Sequence, residues 1–269
     1  MDPRLEDNRR RWNELVPIHA ASRFYDVEGF LAGKCALLPI EREELGDVQG
    51  KSLVHMQCHF GLDTLSWARR GARVTGVDFS SAAIAEATSL AARAGLEARF
   101  VESEITRASE ALGGETFDVV FTSWGVLGWL PDLEGWARTV AALTKPGGTF
   151  YIAEVHPVVL LFAEHGEELV RAFPYFRERE PILEEVDGTY ADRSATVVNR
   201  RAHSWIFELG RIVNLLIANG MRIDFLREHD ATCCAIVPTL TEGPDRLFRQ
   251  PPGALSLPLS FSIKATRLC

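Results

Sequence analysis

Ser52-Leu53-Val54-His55-Met56-Gln57-Cys58-His59-Phe60-Gly61 is a short apolar run that breaks into polar residues and ends on a glycine, and Asp78 follows 17 residues later. The run has the length of a buried strand (Ser52–Gln57), the polar residues make a tight turn, and Leu62–Arg70 then carries the apolar spacing of a helix. An acid ending the next apolar run, Arg73–Asp78, completes a strand–turn–helix–strand unit. In open α/β sheets ligands bind outside the carboxyl ends of the strands, and an acid about 20 residues past such a turn can accept from both ribose hydroxyls of a nucleoside. The competing use of Asp78 is as a helix cap ahead of Ser80 and Ser81.

Outward from this unit the alternation continues. Further strands are read at Ala98–Val101, Phe117–Ser123 and Thr149–Val155, and helices at Ser81–Ala94, Thr106–Leu112 and Asp132–Thr144, with Ser80 or Ser81 as N-cap of the first. Lys145-Pro146-Gly147-Gly148 stops the last of these helices before the fifth strand. A helix at Ser204–Asn219 and an antiparallel pair, Met221–Glu228 with a strand near Leu257–Thr266, finish the sheet. The expected fold is α/β: a Rossmann-like, doubly wound, seven-stranded, mostly parallel sheet with the last strand antiparallel. Residues 1–50 read as a helical cap, broken by Pro17 and Gly29; 51–155 as the nucleotide-binding core; 156–203 as an insertion or lid; and 204–269 as completion of the core. From Pro157 to Arg200 the insertion carries nine carboxylates and five arginines among several aromatics, too aromatic for a linker.

Composition excludes several classes. The 269 residues are 46% hydrophobic and 25% charged, enough for a large buried core, and the formal charge of -8 with four lysines disfavours capture of nucleic acid or anionic membrane. Arg9-Arg10-Arg11 sits among Leu5, Trp12, Leu15 and Val16 and reads as the solvated face of a helix. No stretch reaches ~18 uninterrupted apolar residues, and five cysteines without C-x-x-C spacing fit neither a disulfide framework nor a structural zinc site. A cytoplasmic protein without metal, monomeric or homodimeric, is expected.

The turn matches G-x-G-x-x-G poorly, because Gln57 and His59 stand where a glycine-rich turn has no side chain. That departure discriminates: a dinucleotide needs bare backbone there for its pyrophosphate, and His59 obstructs the approach. S-adenosylmethionine has no phosphate, and its amino-acid portion can be held by polar side chains and amides.

On these residues the chain resembles the class I S-adenosylmethionine-dependent methyltransferases, and within them a bacterial subgroup whose turn looks like Gln57-Cys58-His59-Phe60-Gly61-Leu62-Asp63-Thr64. Trp12-Asn13-Glu14, Phe24-Tyr25-Asp26-Val27, Thr75-Gly76-Val77-Asp78-Phe79-Ser80, Ser123-Trp124-Gly125-Val126-Leu127 and Lys145-Pro146-Gly147-Gly148 carry the resemblance along nearly the whole length. It implies that Gln57, Cys58, His59 and Gly61 meet the donor's methionine portion, and Asp78, Phe79 and Ser80 its ribose and adenine. Glu104 and Ile105 would flank the adenine, with Glu102 as a competing acid, and Ser123 and Trp124 would meet the methionine end. His55 departs from the pattern, standing where the family commonly has an acid.

Methyl transfer from a sulfonium is an in-line displacement whose electrophile comes with the cofactor, so no nucleophilic triad is needed, and no G-x-S-x-G, G-x-x-x-x-G-K or H-E-x-x-H motif occurs. A small-molecule acceptor bearing a hydroxyl or protonated amine would gain from a base, and His156, His19 and Tyr25 are the candidates; His203 reads as structural. Trp124 follows the fourth strand and can line the donor site, whereas Trp129 and Trp136 read as packing. Cys233-Cys234 reads as packed thiols. Two other functions remain open on the same fold: an NAD(P)-linked oxidoreductase, against which His59 argues, and a nucleoside-binding regulator without activity.

Overall fold

Strands β1 (Ser52–Met56), β2 (Arg73–Asp78), β3 (Ala98–Glu102), β4 (Phe117–Ser123) and β5 (Thr144–Val155) pair in parallel, in the order β3-β2-β1-β4-β5. The computed structural model describes residues 2–165, 168–176, 180–237, 239–254 and 256–269. Two small antiparallel hairpins follow β5: β6 (Phe162–His165) with β7 (Glu168–Arg171), and β8 (Ile182–Glu185) with β9 (Arg201–Ser204). They fall in the expected insertion, of which 166–167 and 177–179 lie outside the described residues. The sheet is completed by β10 (Met221–His229); then come three short strands β11 (Ala231–Thr232), β12 (Thr241–Glu242) and β13 (Phe248–Arg249), and last β14 (Ser260–Arg267). β14 inserts between β5 and β10 and runs antiparallel to both, so the sheet has seven strands with the final one reversed, as the sequence predicts.

Period-two alternation explains why both faces are covered. Leu53, Val119, Phe121, Tyr151 and Ala153 point to one side, where Trp67 packs; Val54, Met56, Val120, Phe150 and Ile152 point to the other, where Trp136, Ile212 and Leu216 pack. The helices that supply the cover are α4 (Leu62–Arg69), α5 (Ser81–Ala94), α6 (Ala108–Ala111), α7 (Leu133–Leu143) and α8 (Leu209–Ala218); α1 (Pro3–Ala21), α2 (Val27–Leu31) and α3 (Pro39–Leu45) precede the sheet.

Several boundaries differ from the sequence reading. α1 runs unbroken through Pro17, held by tertiary contacts: Arg11 donates to the carbonyls of Val186, Gly188 and Asn199, and Glu14 accepts the amides of Val198 and Asn199. Gly29 sits inside α2, its amide bonded by Asp26 at the helix N-cap. Lys145-Pro146-Gly147-Gly148 lies within β5 as an irregularity in the register with β4, beside a 2.7 Å Lys145–Asp118 ion pair. α8 begins only at Leu209 because Arg201–Ser204 pairs with β8 and the Trp205 amide bonds the Gly128 carbonyl. Among the described residues no helix is long and apolar enough to cross a membrane.

Candidate functional site

The loop leaving β1 is built on three left-handed residues. Gln57 (φ 58°), His59 (φ 50°) and Gly61 (φ 82°) all have positive φ, so the side chains that made the motif look foreign occupy conformations that glycine adopts freely. At Gly61 a glycine is required twice over, because a Cβ would stand 2.9 Å from the Phe100 ring. The loop is anchored by the Cys58 amide on the Val77 carbonyl at 3.0 Å and by the His59 amide on Asp78 Oδ2 at 2.8 Å. Ser80 N holds the other Asp78 oxygen at 2.9 Å. Burial pushes the Asp78 carboxyl up to about 6, against the opposing pull of the Ser80, His59 and Phe79 amides.

A cavity of about 1070 Å³ opens at this carboxyl edge. Of the residues singled out in the sequence, Tyr25, Gln57, Cys58, His59, Gly61, Asp78, Phe79, Glu104, Ile105, Ser123 and Trp124 line it. Ser80 does not: it is fully buried as the N-cap of α5, accepting from Ala83 N and donating to Asn13 Oδ1. Glu102 is exposed and outside the cavity, leaving Glu104 as the acid on that wall.

The three expected bases are each engaged elsewhere. His156 lies off the cavity, its Nδ1 accepting from Val158 N and its Nε2 3.0 Å from Glu228 Oε1, with the ring edge-on to Phe261. His19 is fully buried with both ring nitrogens taken, Nδ1 by His59 Nε2 and Nε2 by Thr189 Oγ1, and burial pushes it down to about 4. Tyr25 reaches the cavity, but its hydroxyl pairs with that of Tyr190 and burial raises it well above the ordinary phenol value, the reverse of what a base needs. His203, in β9, bonds Asp7 through Nε2 at 3.1 Å.

Other residues on the cavity wall escaped the sequence reading. Trp129, expected in the core, lines the cavity with its ring edge-on to Trp12; Trp136 is buried. Cys233 and Cys234 also line it, their sulfurs 3.7 Å apart. Glu154, inside β5, receives the amides of Gly125 at 2.6 Å, Val126 at 2.7 Å and Leu127 at 2.9 Å, and so shapes the turn after β4. Gln57 Nε2 donates to the Val126 carbonyl at 3.0 Å, joining that turn to the first loop, while its Oε1 is buried with no partner among the described residues. Asp63 accepts from Ser123 Oγ at 3.1 Å, its carboxyl raised by burial. His55 bonds Thr64 Oγ1 at 2.8 Å and burial holds it down at about 3, so it is a neutral ring. A lone carboxylate inside an otherwise apolar strand was the one available signal for Glu154.

Residues 54–150 match the model of a methyltransferase domain. A ubiquinone biosynthesis O-methyltransferase of Sodalis glossinidius is 31% identical over 165 residues, covering 59% of this chain and 66% of that protein; one from Escherichia coli is 29% identical over 157 residues, covering 56% and 65%. The match thus spans just under two thirds of the length of these curated relatives. Among solved structures, an S-adenosylmethionine-dependent methyltransferase from Mesorhizobium loti superposes with a TM-score of 0.56 at 21% identity, covering 88% of this chain and all of that one. The DhpI–SAH complex superposes at 0.55 and 16% identity, covering 98% and 97%. With its sheet order and its domain match over residues 54–150, the chain carries a methyltransferase domain in the Rossmann-like fold of the class I S-adenosylmethionine-dependent methyltransferases.

Proposed function

We propose that this protein methylates an oxygen of a largely apolar small molecule, using S-adenosylmethionine held between the loops after β1, β2, β3 and β4. The observation that carries the donor assignment is Gln57 Oε1, a buried acceptor with no partner among the described residues, on a left-handed loop that opens on the cavity beside Asp63. The donor's α-ammonium offers the hydrogen-bond donor that this oxygen lacks, and a further one to the Asp63 carboxyl beside the one it accepts from Ser123. Asp78, whose two oxygens each keep a lone pair beyond the amide they hold, would take the ribose hydroxyls, and Phe79, Glu104 and Ile105 would enclose the adenine.

When bound, S-adenosylmethionine supplies an electrophilic methyl on a sulfonium, and the chain's own work is alignment and exclusion of water. The cavity suits an apolar acceptor: Leu160, Phe173, Ile206, Phe207 and Phe248 are among the residues that line it. Transfer to oxygen is supported by the relatives named above as O-methyltransferases. Because His156, His19 and Tyr25 are engaged elsewhere, the site favours an acceptor hydroxyl that ionises readily, of phenolic kind, over an aliphatic alcohol.

The deciding experiment incubates the protein with methyl-labelled donor and a panel of apolar phenols, aliphatic alcohols and amines, alongside calorimetry with S-adenosylhomocysteine and NADH. Label transferred to phenols, with S-adenosylhomocysteine bound and NADH not, is the expected result. Binding of NADH in preference would return the protein to the oxidoreductases. Tight S-adenosylhomocysteine with no transfer to any phenol would refute the acceptor class.

A further inference from the structure

A chain of hydrogen bonds behind the cavity wall fixes which nitrogen of His59 carries a proton. Thr189 Oγ1 accepts the amides of Ala191 at 2.9 Å and Asp192 at 3.3 Å, which occupies both lone pairs and leaves its hydroxyl proton to donate. That hydroxyl lies 2.9 Å from His19 Nε2, which must therefore accept. A neutral imidazole has one N–H, so His19 carries it on Nδ1, 3.0 Å from His59 Nε2, and donates there. His59 in turn is left with its proton on Nδ1. Both rings are neutral: burial, and secondarily the Arg11 charge, pushes His19 down to about 4, and burial with His19 beside it pushes His59 well below the ordinary histidine value.

No described protein group takes His59 Nδ1, and the ring lines the cavity. The relay Thr189, His19, His59 thus delivers an N–H from the same loop that presents the unpartnered acceptor Gln57 Oε1. Donor and acceptor two residues apart match an α-amino acid, which carries an ammonium and a carboxylate on one carbon.

We propose that His59 is a fixed Nδ1–H donor to the carboxylate at the amino-acid end of the methyl donor, and that Thr189, which does not line the cavity, is the positioning residue that sets it. The proposal rests on the S-adenosylmethionine reading above, and it gives His59 the opposite of a general base's role. A hydrogen bond to a charged partner of this kind corresponds to roughly a ten- to hundredfold difference in affinity.

The test has one arm without ligand and one with two. Nitrogen-15 NMR of the intact protein near neutral pH should show His19 and His59 as neutral rings protonated on Nδ1; an Nε2–H tautomer for either would overturn the relay. Calorimetry then compares S-adenosylhomocysteine with 5′-methylthioadenosine, the same nucleoside without the amino acid. Thr189→Val should weaken S-adenosylhomocysteine roughly ten- to hundredfold and leave methylthioadenosine unchanged, and Thr189→Ser should restore the first. Equal loss of both ligands, or loss of neither, overturns the carboxylate contact. Wild-type protein with no affinity for either nucleoside overturns the donor reading instead, and the carboxylate assignment with it. Should Thr189→Val fail to fold, the tautomers of the wild-type protein still decide the relay.

Discussion

The amide of His59 stands 2.8 Å from Oδ2 of Asp78, so the loop after the first strand is fastened to the carboxylate that ends the second. With Ser80 N on Oδ1, Asp78 is at once the buckle of the loop and part of the cavity wall. Asp78→Asn turns one acceptor oxygen into a donor facing an amide. S-adenosylhomocysteine affinity should fall at least about tenfold by calorimetry, with the far-ultraviolet circular dichroism retained. Undiminished affinity in the folded variant would remove Asp78 from the donor site.

The same loop shows how far a sequence can be read. β4 and α5 fall where alternation and the Ser80 cap place them, because local pattern and tertiary burial agree there. The loop itself was legible by position and misleading by composition: Gln57 and His59 carry side chains yet hold the left-handed backbone of the glycines they replace. What could not be read is set by long-range partners. α1 passes through Pro17 because Arg11 and Glu14 are tied to residues more than 170 positions away, and the Tyr25 hydroxyl, a candidate proton acceptor by sequence, is taken up by Tyr190, 165 positions on. Glu154 illustrates the same limit, since its function is to collect amides from the turn after another strand.

Gly61→Ala tests whether the left-handed turn is under steric pressure. The methyl would meet Phe100 at 2.9 Å and Ala87 Cβ at 3.0 Å in addition to the positive φ. A penalty of about 1–2 kcal/mol for the backbone and about 1–3 kcal/mol for overpacking gives a total of about 2–5 kcal/mol in urea denaturation. A loss below about 1 kcal/mol would show that the loop relaxes around the methyl.

Glu154→Gln should detach the wall that carries Val126 and Leu127. The carboxylate accepts from Gly125, Val126 and Leu127 as well as from Val155 N at 2.6 Å, and an amide group cannot point acceptors at all of them. Breaking one buried charged acceptor set costs about 2–4 kcal/mol, and hydrogen exchange at residues 125–127 should accelerate more than exchange in β4. Uniform acceleration across the sheet would mean that Glu154 supports the core and not this turn in particular.

Tyr25→Phe separates a clasp from a base. Removal of a general base costs about 10²–10⁴ in rate, whereas loss of one hydroxyl contact between Tyr25 and Tyr190 should raise KM and leave kcat within about tenfold. The phenol's elevated value means that no ionised Tyr25 is present near neutrality to be lost. A fall of kcat beyond a hundredfold, with the rise of rate with pH abolished, would restore Tyr25 to the chemistry.

Glu41 predicts how stability varies with pH. It is buried in α3, with Oε1 accepting the Leu38 amide at 2.6 Å, and burial, then the nearby Asp63, pushes its carboxyl from 4.5 up to about 8. The folded protein therefore prefers the protonated form while the unfolded chain ionises near 4.5, so the stability this group contributes is complete below that value and is lost as pH rises through about 8. Glu41→Gln keeps the oxygen that receives Leu38 and removes the titration. Thermal unfolding should then show the variant close to wild type at about pH 5 and more stable by roughly 3 °C or more at about pH 9. Asp63, Asp78 and Glu154 are raised in the same direction, so the variant retains a shallower decline of its own. Parallel profiles for the two proteins across that range would mean that Glu41 is ionised in the fold and that a cation or donor reaches it.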